Sequence, residues 1–214
     1  MKKVYFIASL IIFITGCDMG GNSSYSKEET IPNPYTPLNQ DELVNPASLN
    51  LIDDYESEKF DTIRYLSTLQ EKVECIVNEM RALPIECSDS QNETGPANCI
   101  VWDDSLADAA KRETDTIASL DDESYESAEA KELASSSGYH GNYVVKTKVV
   151  FDYDSEDINK ILTKIVEEAL KGNEGSCSTL MDKKAEDLGL SFTTKVVDGK
   201  RRVYSTIFLG DSRE

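Results

Sequence analysis

The chain has 214 residues, of which 40 are acidic and 22 basic, for a formal net charge of −18 at pH 7. So large an acidic excess excludes a nucleic-acid-binding protein, because contacts to phosphates require a basic surface. The apolar content of 39% suffices for one buried core, with length left over for a leader and a tail.

The first residues follow the pattern of a bacterial lipoprotein signal. Lys2 and Lys3 precede an apolar run, residues 4–14, that is too short for a typical transmembrane helix. Ile14-Thr15-Gly16-Cys17 then has the lipobox order of an aliphatic residue, two small residues and a cysteine. We therefore expect a signal peptide of residues 1–16 and fatty acylation of Cys17, with palmitate among the acyl chains. An ordinary secretion signal with a chance cysteine is the alternative.

Acylation of Cys17 would place the protein in the cell envelope. Two or three acyl chains make a stable anchor, so the first predicted partner is the lipid bilayer, on its extracytoplasmic side. The choice between the inner and the outer membrane, facing the periplasm, stays open. Residues 17–50 are predicted to form a lipidated, disordered tether, because four prolines prevent regular structure there: Pro32, Pro34, Pro37 and Pro46.

Export also bears on the remaining cysteines. An even number of thiols in an oxidising compartment predicts two disulfides among Cys75, Cys87, Cys99 and Cys177. Four cysteines allow three pairings, and their spacing does not choose among them. A zinc cluster is not expected, because the chain has no Cys-x-x-Cys and a single histidine. The sequence therefore predicts no metal site and no cofactor.

The domain itself is predicted to span residues 51–214 and to begin with a long helix. From Asp53 to Leu83 there is no proline or glycine, and apolar residues recur every three or four positions. Asp53, followed by Glu56, is the expected cap, and Pro84 ends the helix. A coiled-coil arm is the alternative interpretation of the same pattern.

Residues 100–137 predict a short strand followed by two helices. Trp102 is expected to anchor the core, and Asp103 or Asp104 to cap the next helix. That helix has an inward face of Leu106, Ala109, Ala110 and Ile117. A second helix is expected over residues 124–137, ending at Gly138.

The last third of the chain predicts most of a sheet. Strand 143–151 is followed by an amphipathic helix, 155–170, with Ser155 as its cap, and by a short turn and helix over 177–188. Two β-prone runs, 190–197 and 201–209, flank Asp198-Gly199. Because Asp-Gly supplies the positive φ of a tight turn, these runs predict a β-hairpin.

Several of these segments match one known pattern. Asn78 and Arg81 fit an Asn-x-x-Arg helix, and Ile100–Ala110 fits Leu-x-Trp-Asp-x-x-Leu-Ala-x-x-Ala. The third match consists of Gly138-Tyr139 and of Cys177, Leu180, Met181 and Gly189. Over residues 69–210 the chain thus resembles the CAP superfamily of cysteine-rich secretory proteins, antigen 5 and plant pathogenesis-related proteins.

The resemblance implies an α+β fold of a particular kind. CAP domains are three-layer α-β-α sandwiches with a mainly antiparallel sheet. The resemblance also implies a Cys87–Cys177 disulfide and leaves Cys75 for Cys99. A local Cys87–Cys99 bridge is the rival.

The resemblance counts against the family's proposed active site. That site is a cleft with two histidines and two acids, able to hold a divalent ion. Here Ser176 stands at one histidine position, Asp121-Asp122-Glu123 lies near the other, and Gly141-Asn142 is what is left of a Gly-Glu-Asn segment. The predicted remnant of the cleft is His140, Asn142 and Ser176, with no catalytic residue.

The expected function follows from this missing tetrad. We expect a non-catalytic binding or interaction module on the envelope, whose partner is another envelope protein or a small ligand. One alternative is an envelope hydrolase that uses His140 with Ser135, Ser136 or Ser137, or an acid pair. The other is a small lipid-binding protein.

Overall fold

The structure is a computed structural model that describes residues 45–46, 68–87, 95–122, 124–125, 128–172 and 175–213. The predicted signal peptide, Cys17, and the start of the predicted first helix lie outside these ranges, as does most of the tether. Within them the elements are α1 (Leu69–Arg81), β1 (Val101–Trp102), α2 (Asp104–Leu120), α3 (Ala130–Ser136), β2 (Tyr143–Asp152), α4 (Ile158–Lys171), α5 (Ser176–Leu180), β3 (Asp187–Val197) and β4 (Lys200–Asp211). No helix in the described ranges combines the length and apolarity needed to cross a membrane.

The strands form one mixed sheet in the order β1-β3-β4-β2. Only the short β1 is parallel to its neighbour, β3, while β3 with β4 and β4 with β2 are antiparallel. The predicted hairpin at the centre is confirmed: Asp198 and Gly199 have φ values of 50° and 79°. The helices and the mixed, mainly antiparallel sheet confirm the predicted α+β class.

The two faces of β4 bury different side chains, because successive strand residues point to opposite sides. Val203 and Ile207 belong to the largest apolar cluster, with residues of α1, α4 and α5. Tyr204 and Phe208 belong to smaller clusters with residues of α2 and α3. Helices therefore pack against both faces of the sheet.

The first helix is shorter than predicted. Thr68 is extended, and its hydroxyl accepts from Glu71 N while Glu71 caps Thr68 N, so α1 begins at Leu69. The cap proposed at Asp53 lies outside the described residues. The coiled-coil alternative is wrong for α1, because Ile76 and Val77 are fully buried in the domain core.

Two other helices also differ from the sequence prediction. The helix expected over 124–137 begins only at Ala130, because Lys148 and Lys146 of β2 donate to the carbonyls of Tyr125 and Ala128. Asp157, rather than Ser155, caps α4 by accepting from Asn159 N at 2.9 Å. A local side-chain cap thus sets the start of α4, whereas the N-cap residue of α3, Glu129, makes no capping hydrogen bond through its side chain.

The region around β1 mostly follows the prediction. Asp103 is the N-cap of α2, and Leu106, Ala109, Ala110 and Ile117 are buried as expected. Trp102 is only half-buried against the core, and its ring nitrogen donates to Asp104 at 2.9 Å.

The structure forms one of the two expected disulfides. Cys87, after α1, is bonded to Cys177 in α5, with the Cα atoms 5.6 Å apart. The rival Cys87–Cys99 pairing is therefore wrong. The structure does not join Cys75 to Cys99 either: Cys75 Sγ points along its own helix, 3.8 Å from Glu79 Oε1.

A fully buried arginine, Arg81, holds the same region together. Its guanidinium donates to four backbone carbonyls, at 2.8 Å to Asn98, 2.5 Å to Leu180, 3.0 Å to Asp182 and 3.1 Å to Ala185. Burial lowers the pKa of Arg81 to about 10, so the side chain stays protonated at neutral pH. One side chain thus ties α1 to three other segments.

We expect Arg81→Met to lower the free energy of unfolding by about 3 kcal/mol or more, because it leaves several buried carbonyls without donors. Urea unfolding measures the change. Arg112→Met is the matched control, because Arg112 is exposed and its guanidinium donates to the hydroxyls of Ser136 and Ser137. This substitution should cost less than about 1 kcal/mol. Equal losses in the two variants would contradict the role given to Arg81.

Candidate binding cleft

The three residues predicted as a remnant of the family cleft differ in their exposure. His140 and Asn142 are exposed in the loop before β2, whereas Ser176 is buried in α5, beside Cys177. No hydrogen bond shown between described residues joins any two of the three. Two of the three are thus exposed and one is buried, and their role as a remnant of the family site stays a prediction.

Two of the three serines suggested as partners of His140 have side-chain hydrogen bonds to other residues. The hydroxyls of Ser136 and Ser137 accept from Arg112 Nη1 of α2, at 3.0 and 3.3 Å. Ser136 itself donates to Leu133 O within its own helix. These contacts do not form a nucleophile–histidine pair.

Tyr139, just before His140, has a structural role. Its ring packs so tightly that a Cβ at Gly141 or Gly210 would lie within 2.4 Å of it. Its hydroxyl donates to Asp187 Oδ2 at 2.6 Å. Burial, followed by this bond, raises the pKa of Tyr139 well above its ordinary value. The Gly-Tyr match therefore marks a packing site at the end of β4.

A cleft of about 510 Å³ lies elsewhere, where the end of α2 meets β2 and β4. Its polar lining consists of Asp121, Asp122, Ser124, Asp152, Arg202 and Tyr204. We take this cleft as the candidate functional site, since ligands of small proteins occupy concavities of this size.

Local structure on the helix side sets two of these carboxylates. Asp121 ends α2 in the left-handed region, with φ 52°, a conformation that aspartate tolerates better than most residues. Asp122 Oδ1 then accepts from the backbone N–H and the hydroxyl of Ser124, at 2.9 and 2.6 Å. This turn directs both carboxylates to the same rim.

Strand register sets the rest of the lining. Arg202 and Tyr204 are two residues apart on β4 and share a face. Their cross-strand partners on β2 are Asp152 and Val150. Directly opposed positions lie close enough for side chains to pair, so the register brings Asp152 to Arg202.

A chain of hydrogen bonds links these side chains. Arg202 donates through Nε to Asp152 Oδ1 at 2.9 Å and through Nη1 to Asp121 Oδ1 at 3.3 Å. Tyr204, whose ring is fully buried, donates its hydroxyl to the same Asp121 oxygen. Arg202 is thus held between two carboxylates.

These contacts fix the charges of the cleft. The Tyr204 hydroxyl, with help from Arg202, lowers the pKa of Asp121; Ser124 lowers that of Asp122 and Arg202 that of Asp152. Asp152 in turn raises the pKa of Arg202. At neutral pH the lining carries three carboxylates and one guanidinium, and the nearby ammonium groups of Lys195, Lys148 and Lys200 help to lower the pKa of Asp121, Asp122 and Asp152 respectively.

The arrangement suits binding better than proton transfer. General acid–base catalysis needs a group whose pKa lies near the working pH. The pKa values of the three carboxylates lie below their ordinary values. Burial, and then the hydrogen bond to Asp121, raises the pKa of the Tyr204 hydroxyl. Across the described part of the chain, no cluster of potential ligands is placed to hold a metal ion.

Comparison with known proteins leaves the family open. No protein-family model matches the chain, and no curated protein matches it significantly. The CAP resemblance therefore stays a prediction.

We expect Tyr204→Phe to bring the pKa of Asp121 back toward its ordinary value, because it removes the main donor to that carboxylate. The stabilisation from ionised Asp121 is present above the unfolded pKa and is lost as the pH falls through the lowered folded one. The difference in unfolding free energy between wild type and variant should therefore shrink over that acid range. Carboxyl NMR titration measures the pKa directly.

Tyr125→Phe is the control for this titration. Tyr125 packs in the same apolar cluster as Tyr204, but the hydroxyl that donates to Asp121 belongs to Tyr204. The pKa of Asp121 should stay low in that variant. A shift of the same size in both variants would mean that packing, and not the hydroxyl, sets it.

Proposed function

We propose that this chain is a cell-envelope lipoprotein, anchored through acylated Cys17, whose CAP-like α-β-α domain binds a ligand or a partner without catalysing a reaction. The observation that carries the binding role is the Asp121–Arg202 cleft. Arg202 is hydrogen-bonded to Asp152 and Asp121. The pKa of Asp121 is lowered further from neutrality. The described lining residues include no histidine or cysteine.

Two contacts of the first helix support the CAP-like part of the proposal. Asn78 and Arg81 are the residues that match the family's helix pattern. The Asn78 amide exchanges two hydrogen bonds with the backbone of Ile100, at 3.0 and 2.8 Å. Arg81 donates to the carbonyl of Leu180, which is the leucine of the Cys-x-x-Leu-Met segment. Residues that match the family pattern thus join segments that match it too.

The position of the cleft is consistent with the same relationship. The resemblance puts one of the family's histidines near Asp121-Asp122-Glu123, and the cleft is lined by Asp121 and Asp122. We infer that carboxylates and a guanidinium replace the imidazole chemistry there. The cleft walls are mostly polar, which does not suit an acyl chain or a sterol.

The envelope anchor is supported by the lipobox pattern. In a bacterial host fed labelled palmitate, we expect the full chain to incorporate label and to sediment with membranes, and Cys17→Ser to lose both properties. Cys99→Ser is the control and should keep them, because Cys99 lies in the domain and not in the signal. Label retained by Cys17→Ser would exclude the lipoprotein assignment.

The absence of catalysis is tested on the purified chain with peptidoglycan fragments, casein and a p-nitrophenyl ester. We expect each rate to match that of buffer and to be unaffected by His140→Ala, because His140 is exposed and outside the cleft. An activity that co-purifies with the chain and disappears in His140→Ala would replace the binding proposal with a hydrolase.

A further inference from the structure

We infer that the Asp121–Arg202 cleft takes an organic cation: an alkylguanidinium or alkylammonium group, as found in an arginine or lysine side chain or in a polyamine. This inference rests on the proposed binding function and specifies its ligand.

The cavity itself is the first argument. At about 510 Å³ it falls in the range of ligand sites, roughly 300–1,000 Å³. It is larger than a single water molecule and too small for a helix or a strand of a partner protein. A side chain with its flanking peptide, or a small linear amine, is of matching size.

The second argument is an excess of acceptors. Asp121, Asp122 and Asp152 each accept every hydrogen bond shown for them through Oδ1. The three Oδ2 oxygens accept none from the described side chains or backbone. A ligand with several N–H donors satisfies such a surface, whereas a carboxylate ligand brings only further acceptors.

Arg202 shows how a cation fits. Its planar guanidinium already binds Asp152 and Asp121 through two different nitrogens. The carboxylates are therefore placed for a flat, multi-donor cation rather than for the close coordination of a metal ion. Among the described residues, no group of three or more His, Cys, Asp or Glu side chains is placed to bind a metal ion.

An apolar wall beside the acids suits the alkyl part of the ligand. Val150 is half-buried, lines the cleft, and lies directly across the strand pair from Tyr204. Long cationic side chains pack their methylene stems on apolar surface and place the charged head among polar groups. The cleft offers both surfaces side by side.

The test uses the full acylated chain in lipid nanodiscs, with amide chemical shifts of residues 121–124 as the readout. Ethylguanidinium is the probe, and ethylurea, its uncharged isostere, is the control. We expect saturable shifts with ethylguanidinium and at least tenfold weaker binding of ethylurea. Equal binding of the two, or binding of propionate instead, would overturn the inference while the binding proposal stands.

Two variants give opposite expectations, which separates recognition from folding. Asp122→Asn removes one charge and should weaken ethylguanidinium binding at least threefold. Arg202→Gln removes the internal cation and should strengthen binding at least threefold. Asp108→Asn, an exposed acid of α2 outside the cleft, should leave it unchanged. Weaker binding in both cleft variants would contradict the assignment.

Two further probes identify the source of the cation. Tighter binding of acetyl-Ala-Arg-Ala-amide than of spermidine would assign the cleft to a segment of a partner protein. The reverse order would assign it to a free polyamine. If neither binds more tightly than ethylurea, the inference fails. Hydrolysis of the peptide would instead contradict the proposed function itself.

Discussion

The buried guanidinium of Arg81 is the interaction on which the rest of the described fold depends. A charge taken out of water is tolerated only when its donors are matched, and here backbone carbonyls supply the match. Those carbonyls come from the segment before β1, the end of α5 and the turn into β3. The Cys87–Cys177 disulfide closes the same region covalently. These contacts fix the position of β3 and, through it, of β4, which supplies Arg202 and Tyr204 to the cleft.

Much of the fold was predictable because its signals are local. Asp198-Gly199 between two β-prone runs determines a hairpin, and Asp103 before an apolar face determines a helix start. The wrong boundaries have both tertiary and local causes. Lys146 and Lys148 bind carbonyls of residues 125 and 128, and no property of that segment alone announces it. A start at Thr68 was readable in principle, since Thr-x-x-Glu is a capping box.

The site was predicted less well than the fold. Family resemblance directed attention to His140, Asn142 and Ser176, none of which lines the Asp121–Arg202 cleft. The cleft instead joins Asp121, Asp152 and Arg202, which are separated by 31 to 81 positions in the chain. Their meeting depends on which residues of β2 and β4 are opposed, and a one-residue change of register would undo it. A single sequence does not carry that information.

Asp121 combines an unfavourable backbone conformation with a carboxylate that lines the cleft. Its φ of 52° is a conformation in which glycine is at ease, so glycine there would relax the end of α2. It would also remove the carboxylate that orients Tyr204 and Arg202. At this one position, an easier backbone conformation and the carboxylate on which the proposed recognition depends exclude each other.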